Sequence, residues 1–393
     1  MSDSDVVNTP ANTEILSGEL RLEILRNRIL EELKKSGFSI VDNKTLVIPE
    51  EKEYFRKVHE NAVEYLREKK SNFILKNDER MIDKYIIDGK TLDIKNIQPL
   101  LIPIVSKEQS DLFNWTKLHW SIPTSSGYGR RLRYLVYDKG NSSLIGIIGL
   151  ADPVFALKGR DNYIGWSPEV RKKRLKHVMD AFVLGAVPPY SFLLGGKLVG
   201  SLITSTKISN DFKQKYGGKP TLISNEIFDG KLAAITTASA LGKSSVYDRI
   251  RIEKGSQFIH VGWTKGSGEF QFINGVYQLL FELAHSKAEY LKNPKWGNGT
   301  RNRRTVVRTG LKMLNLSQNL IYHNVKRELF LVPLGTKSIE FLRGDTKLIE
   351  YYNKSTDDIS EFALKRWIVP RSERRKEYIQ FSKEKYSLLN KSS

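Results

Sequence analysis

The N-terminal quarter of the chain carries hydrophobic residues near the spacing of amphipathic helices. Over Ile15–Lys35 this spacing predicts one long helix. A second predicted helix begins at Pro49 and runs to about Lys70, since proline suits the first turn of a helix, and a third covers about residues 72–88. We therefore expect a disordered tail over residues 1–13 and an N-terminal helical domain over residues 14–95.

From Ile97 onward, short hydrophobic runs typical of strands alternate with helical stretches. The predicted strands are Leu132–Tyr137, Ser143–Leu150, Tyr163–Trp166, Thr221–Ser224, Leu232–Thr237 and Gln257–Gly262. The helices expected between them cover residues 167–186, 195–215 and 243–252. The turn sequence Asp138-Lys139-Gly140-Asn141 joins the first two strands into a hairpin. The pattern predicts an α+β core over residues 96–291, followed by a basic C-terminal α/β region over residues 292–393.

The composition of the whole chain limits the classes of function that the protein can have. The chain has 64 Lys and Arg against 44 Asp and Glu, a net charge of +20, and such an excess attracts polyanions, of which nucleic acid is the usual one. The absence of cysteine excludes disulfides, thiolate zinc sites and a cysteine nucleophile. No uninterrupted apolar run is long enough for a membrane span, and no signal peptide is recognisable. We expect a cytoplasmic protein that contacts nucleic acid, most simply DNA, and no membrane.

Clustered arginines are the candidate contacts to phosphate, because a guanidinium group grips a phosphate with two hydrogen bonds. The alternative is that each cluster is a solvated face of the protein. The candidate nucleic-acid contacts are Arg130, Arg131, Arg171, Arg174, Arg301, Arg303, Arg304, Arg308, Arg374 and Arg375.

Three further motifs suggest chemistry, and each has a structural alternative. Gly195-Gly196-Lys197 opens a predicted helix, where backbone N–H groups and the lysine could hold a cofactor phosphate, or where the glycines could simply make a turn. Asp152 and Asp161, with Asp180 nearby, could hold magnesium, or could form turns and an ion pair. Tyr247 could be a general acid or a wedge between helix and sheet.

The sequences of several segments, and the order of these segments along the chain, resemble the DruA family of the Druantia anti-phage defence system over about residues 15–375. The segments are Gly149–Phe155, Arg160-Asp161, Ile164–Trp166, Leu184–Tyr190, Leu194–Leu198, Ser239–Tyr247, Val261–Gly268, Arg327-Glu328, Val332–Leu334 and Arg366-Trp367. The resemblance implies a bacterial component of phage defence and leaves its chemistry open.

The middle of the chain also resembles the GNAT acyltransferase fold. The likeness rests on the hairpin that ends at Leu150, a glycine-opened helix at Gly195, a strand at residues 221–224, and Tyr247 before the strand near Phe258. It implies a GNAT-like mixed sheet in which Gly195, Gly196 and Lys197 would bind the pyrophosphate of acyl-CoA and Tyr247 would protonate the leaving thiolate.

Three functions therefore remain open, and with them the question of whether the protein is an enzyme. The first is a defence protein that binds foreign DNA and modifies it through the GNAT-like core. The second is a magnesium-dependent DNA nuclease that uses Asp152 and Asp161. The third is a non-catalytic DNA-binding adaptor that recruits a partner such as a helicase.

Overall fold

The computed structural model describes residues 10–221, 225–252, 255, 257–268, 270–272, 275–287 and 300–389, without the side chains of residues 10–17, 287 and 300–302. The chain forms two compact units. One comprises the residues up to Tyr65 together with Lys265–Lys326, and the other comprises Leu66–Thr264 together with the residues from Arg327 onward. The domain boundaries expected near residues 14, 96 and 292 stay a prediction.

The first unit contains a long N-terminal helix and a helix pair from later in the chain. The unit contains α1 (Pro10–Lys35), β1 (Ser39–Val41), β2 (Thr45–Val47), most of α2 (Lys52–Glu68), α9 (Val276–Lys287) and α10 (Thr300–Met313). The predicted N-terminal helix is confirmed. The last two helices pack closely because Gly310 has no side chain, and a Cβ there would lie 2.8 Å from the side chain of Leu280.

The second unit is built on a seven-stranded sheet. Its strands are β3 (Pro99–Pro103), β4 (Arg131–Asp138), β5 (Ser143–Ala151), β6 (Val178–Ala186), β7 (Ala234–Ala238), β8 (Ile259–Trp263) and β9 (Glu328–Pro333). They lie in the order β3-β4-β5-β6-β7-β9-β8, and within the described sheet only β6 and β7 run parallel. The predicted hairpin of β4 and β5 is confirmed, and buried Asp138 accepts hydrogen bonds from the backbone of its turn.

Helices and short helical turns cover both faces of this sheet. The helices are α3 (Ser71–Tyr85), α4 (Lys107–Lys117), α5 (Lys158–Ile164), α6 (Pro168–Arg174), α7 (Gly195–Leu202), α8 (Thr206–Tyr216), α11 (Ser338–Arg343), α12 (Thr356–Ala363) and α13 (Val369–Arg374). The mixed α+β fold class is confirmed, whereas the GNAT-like arrangement stays a prediction. In the described part of the chain, no helix has the length and hydrophobicity to span a membrane.

Two predicted elements are wrong. The strand expected at Tyr163–Trp166 instead contains the end of α5, which stops at Gly165 in the left-handed conformation. The helix expected over residues 167–186 ends as α6 at Arg174, and residues 178–186 form β6. Strand β6 lies between β5 and β7, with large residues packed on both faces, so it lacks a simple alternation of polar and apolar positions.

Two more predicted helices differ in extent. The helix expected over residues 195–215 is divided into α7 and α8. The one expected over residues 243–252 is a single 3-10 turn, Tyr247–Arg249. The preceding loop is held by Glu328, whose carboxylate accepts a hydrogen bond of 2.6 Å from the backbone N–H of Ser244. Of the strand expected at Thr221–Ser224, residues 222–224 lie outside the described residues.

A β-bulge in β6 changes which face of the sheet its residues occupy. Gly149 pairs with Val183 and Leu150 pairs with Ala181, so Phe182 is the extra residue. Ala181 packs in the cluster beneath α7, whereas Phe182 and Val183 both pack on the opposite face. That opposite face carries two separate hydrophobic clusters, one with α3 and α4 and one with α5 and α11.

The C-terminal segment is fixed to α3 by one buried carboxylate. Asp78 is 1% exposed and accepts a hydrogen bond of 2.6 Å from the indole N–H of Trp115. Its other oxygen accepts from the Ser387 hydroxyl at 2.7 Å and from the Leu388 backbone N–H at 3.0 Å. A single acceptor group thus satisfies three buried donors from two distant parts of the chain.

Replacement of Asp78 by asparagine tests this network. We expect Asp78→Asn to lower the free energy of unfolding by about 2–4 kcal/mol, because an amide N–H₂ would face donors that need an acceptor. The matched control is Asp83→Asn on the same helix, which breaks an ion pair to Lys383 in which the Asp83 side chain is 63% exposed. It should cost at most about 1 kcal/mol. Equal losses in denaturant titrations of the two variants would contradict the assigned role of Asp78.

Candidate nucleic-acid interface and carboxylate cleft

Arg130, one of the predicted phosphate contacts, is held by the protein itself. Its Nε donates to Oδ1 of Asp152 at 2.7 Å, and its backbone N–H donates to Oδ2 of the same carboxylate at 2.9 Å. Its Nη1 donates to the carbonyl of Lys176 at 2.8 Å. The guanidinium also lies within 6 Å of the ring centres of Phe212, Tyr216 and Phe228. This arrangement connects the start of β4 to the end of β5 and to α8.

Arg171 and Asp161 belong to a second arginine–carboxylate group. The side chain of Arg160 is fully buried, with Nη2 lying 2.7 Å from Oδ1 of Asp161, and Nη1 of Arg171 lies 3.0 Å from Oδ2. The backbone N–H of Leu157 donates to the same carboxylate at 2.9 Å, as at a helix N-terminus. Arg160 also donates to the backbone carbonyls of residues 154 and 155. The group therefore fixes the segment between β5 and α5.

The magnesium hypothesis can be compared with these contacts. Asp152 and Asp161, the two carboxylates proposed as ligands, each accept hydrogen bonds from an arginine and from the backbone. Among the described residues, no three His, Asp or Glu side chains are grouped as they would be around a metal ion. The geometry matches the alternative interpretation, in which these carboxylates form ion pairs and stabilise loops.

Asp180 differs from its two neighbours because no hydrogen bond joins it to an arginine within the described chain. It lies half-buried on β6, opposite Ala151 and Thr236 of the adjacent strands. Its Oδ1 accepts a hydrogen bond of 2.7 Å from the Thr236 hydroxyl. Burial raises the pKa of Asp180 to about 6, and the Thr236 hydrogen bond and the positive charge of Arg160 oppose that rise only partly.

A cluster of cations without carboxylate partners lies on β4, α4, α8 and the loop after α8. We call it the basic surface, and it consists of Lys117, Arg131, Arg133, Lys215 and Lys219. Lys215 donates to the backbone carbonyl of Arg131 at 2.9 Å, and Lys219 donates to that of Lys215 at 2.7 Å. Within the described residues, none of the five forms an ion pair with Asp or Glu. Only Arg131 was a predicted site residue.

Three cations of the basic surface have lowered pKa values. Burial, with a smaller contribution from the nearby Arg133, lowers the pKa of Lys117 to about 8. The pKa of Arg133 is lowered by burial and by Arg131, and that of Lys215 by burial, Arg133 and Lys219. The positive charges of these side chains therefore repel one another, and a bound anion would reduce this repulsion.

The other predicted arginines have different surroundings in each of the two units. Arg174 lies with its guanidinium 4.9 Å from the ring centre of Phe341. In the first unit, Arg303 lies 4.4 Å from the ring centre of Tyr277, and Arg304 donates to Ser267. Exposed side chains remain at Arg308, Arg374 and Arg375, the last of which pairs with Glu377. The side chain of Arg301 lies outside the described residues.

The glycines at the start of α7 have different surroundings. A Cβ on Gly195 would lie 2.7 Å from the carbonyl oxygen of Tyr190, whereas a Cβ on Gly196 would meet no atom within 4 Å. Gly195 is therefore required by backbone packing, whether or not a phosphate binds beside it. Lys197 is 9% exposed, with its Nζ 5.3 Å from the ring centre of Trp367, and burial lowers its pKa.

Tyr247 lies on the face of the sheet that α7 covers. Its ring stacks on Phe258 at 5.3 Å between centroids and meets the edge of Phe330 at 5.6 Å. Burial raises the pKa of its hydroxyl to about 12, against a hydrogen bond with Thr237 that lowers it. The hydroxyl is protonated at neutral pH, and the ring packs between a 3-10 turn and the sheet, as the wedge interpretation requires.

The fold and these sites define an α+β protein whose central sheet carries an unneutralised basic surface at one side. The family model described as "Druantia protein DruA" matches residues 49–344. A relative named "Druantia protein DruA" from Escherichia coli (strain UMEA 4076-1) is 37% identical over 374 residues, which cover 93% of this chain and 91% of the relative. No solved structure matches the chain. The chain belongs to the DruA family, and it is a component of Druantia anti-phage defence.

The two glycines of α7 provide a matched pair of substitutions. Gly195→Ala should lower the free energy of unfolding by about 1–3 kcal/mol, because the new methyl group collides with the backbone of Tyr190. Gly196→Ala should be neutral, or stabilise by up to about 1 kcal/mol, because alanine favours the helix and meets open space. Thermal unfolding of both variants checks this. Equal effects would show that Gly195 is not confined by Tyr190.

The raised pKa of Asp180 predicts an unusual dependence of the protein's stability on pH. Its pKa in the folded protein is raised from 3.8 to about 6, so ionisation costs more in the folded state than in the unfolded chain. Its favourable contribution is complete below about pH 4 and is lost as the pH rises through 6. Asp180→Asn should therefore stabilise the protein by about 1–2 kcal/mol at pH 8 and by much less at pH 4.5.

The control for this prediction is Asp152→Asn, which removes the ion pair with Arg130 and should destabilise the protein at pH 8. Melting temperatures of the wild type and both variants at the two pH values supply the comparison. The role of Asp180 would be contradicted by a loss of stability in Asp180→Asn of the same size at both pH values.

Proposed function

We propose that this DruA family protein acts in Druantia defence by binding DNA through its basic surface. The observation that carries the proposal is the convergence of Lys117, Arg131, Arg133, Lys215 and Lys219 with no Asp or Glu paired to them in the described chain. Paired cations elsewhere are already neutralised, as Arg130 is by Asp152. An unpaired cluster on a chain of net charge +20 attracts the phosphates of a nucleic acid.

The chemistry of the basic surface favours contact with the backbone of the nucleic acid. Its groups are guanidinium and ammonium groups, which bind phosphate oxygens of any sequence. They come from one strand, the ends of two helices and the loop after α8, and not from one helix face such as would enter a groove to read bases. We therefore expect weak dependence on sequence and strong dependence on salt.

Contacts elsewhere in the protein separate the alternatives. In the nuclease hypothesis, a magnesium ion would have to displace arginines from Asp152 and Asp161, and this makes the nuclease the less favoured function. Modification through a GNAT-like core rests on Tyr247 and the start of α7, where packing accounts for Tyr247 and Gly195. An adaptor role beside a helicase needs the basic surface and no catalytic group, so it shares the DNA-binding proposal.

The salt dependence of binding tests the proposal. The triple variant Arg131→Gln, Arg133→Gln and Lys215→Gln should bind DNA more weakly, and the slope of log K against log salt should fall by about 2–3. Glutamine keeps most of the side-chain length, so that packing is disturbed little. Binding of a fluorescent oligonucleotide at several salt concentrations measures both quantities.

The control removes the same charge from cations that are already paired. Arg56→Gln, Lys337→Gln and Arg343→Gln change three side chains that form ion pairs with Glu53, Glu350 and Asp345. The control triple should keep nearly the wild-type slope. If both triples lower the slope equally, net charge rather than the basic surface determines binding, and the proposal fails.

A further inference from the structure

We propose that the surface beside the basic surface stacks unpaired bases, so that the preferred ligand is single-stranded nucleic acid; this inference rests on the proposed function. Two aromatic side chains there are unusually open to solvent. Tyr128 is 51% exposed and Phe155 is 56% exposed. Exposed aromatic rings next to cations are the usual platform for the bases of single strands, since every base has a face that can stack.

The Tyr128 ring is held by its hydroxyl group, and the backbone at Phe155 is held by a buried arginine. The Tyr128 hydroxyl donates to the carbonyl of Pro153, two residues before Phe155. The backbone carbonyl of Tyr128 accepts from the N–H of Asp152 at 3.1 Å, and the carbonyl of Phe155 accepts from Arg160 at 3.1 Å. The Tyr128 ring therefore loses little conformational freedom when a ligand stacks on it.

The aromatic pair has cations of the basic surface on one side and an arginine paired with Asp161 on the other. Tyr128 precedes Arg131 of the basic surface by three residues, and Lys117 of that surface lies 5.7 Å from the ring centre of Phe182. The loop at Gly127 is in contact with the same ring, because a Cβ there would lie 3.0 Å from Phe182. On the other side, the guanidinium of Arg171 lies 4.7 Å from the ring centre of Phe155.

This arrangement distinguishes a single strand from a duplex. Phosphates of either can meet the basic surface, but stacked base pairs present only their edges, so a duplex cannot place base faces on Tyr128 and Phe155. A protein partner would also cover apolar rings, yet the cations at Lys117 and Arg131, which have no carboxylate partner in the described chain, favour a ligand that carries phosphates between its apolar groups.

The test compares one oligonucleotide sequence as a single strand and as a duplex. The variant Tyr128→Leu with Phe155→Leu keeps apolar bulk and removes both aromatic faces. Single-strand affinity should fall at least about 10-fold, since each stacked base contributes about 5- to 100-fold. Duplex affinity and the salt slope should stay at wild-type values. Quenching of 2-aminopurine placed in the single strand reports stacking directly and should be lost in the variant.

Two control variants separate stacking from a structural effect. Tyr128→Phe loses the hydroxyl contact with Pro153 but keeps the ring, and it should retain single-strand binding. Tyr54→Leu removes an aromatic ring that is 39% exposed in the first unit, which contributes no residue to the basic surface, and it should change nothing. Equal weakening of single-strand and duplex binding by the leucine pair, or unchanged quenching, would overturn the inference.

The same measurements keep this inference apart from the DNA-binding proposal. If the basic-surface triple weakens both ligands while the leucine pair spares both, DNA binding stands and base stacking is wrong. If the triple leaves both ligands unaffected at every salt concentration, the DNA-binding proposal itself fails and the stacking inference falls with it.

Discussion

The ion pair between Arg130 and Asp152 is the interaction on which the arrangement of the candidate interface depends. It joins the start of β4 to the end of β5, and the guanidinium group stacks among aromatic rings of α8 and the following loop. Arg131, the next residue, belongs to the basic surface. Tyr128, two residues before Arg130, carries one of the two exposed aromatic rings. Because a guanidinium offers five donors in a rigid plane, one side chain can fix the backbone on both sides of itself. The backbone that carries Arg131 is thus fixed by a neighbouring cation that is itself paired with a carboxylate.

The bulge at Phe182 has a comparable role in the sheet. It places both Phe182 and Val183 on the face that packs against α3 and α4. Asp180 lies on β6 two residues before the bulge, and burial without an arginine partner raises its pKa to about 6. Bulges often occur where a strand must redirect a side chain beside a functional site. Here the redirected ring lies beside Lys117 and the Gly127 loop, at the border of the basic surface.

The sequence predicted those elements whose signals are local. The β4–β5 hairpin could be predicted because hydrophobic runs flank an Asp-Lys-Gly-Asn turn, and the N-terminal helix because its hydrophobic spacing is regular. Strand β6 could not, because burial on both faces removes the alternation that identifies a strand. The basic surface was largely missed for a different reason. Lys117, Arg133 and Lys215 are separated by long stretches of sequence, and only the pairing of β4 with its neighbours and the packing of α8 bring them together.

Clusters of arginine in a sequence and clusters of positive charge on a surface are therefore different things. Arg130 and Arg171 lie in the most basic segments of the chain, yet each meets a carboxylate, Asp152 and Asp161 respectively, that folding brings to it. Lys215 and Lys219 lie outside the arginine clusters and donate hydrogen bonds to backbone carbonyls instead. A neutral carbonyl leaves the charge of an ammonium group in place, whereas a carboxylate cancels it. The proposed attraction for a polyanion therefore depends on which cations folding leaves without an acid, and not on how many arginines a segment of the sequence contains.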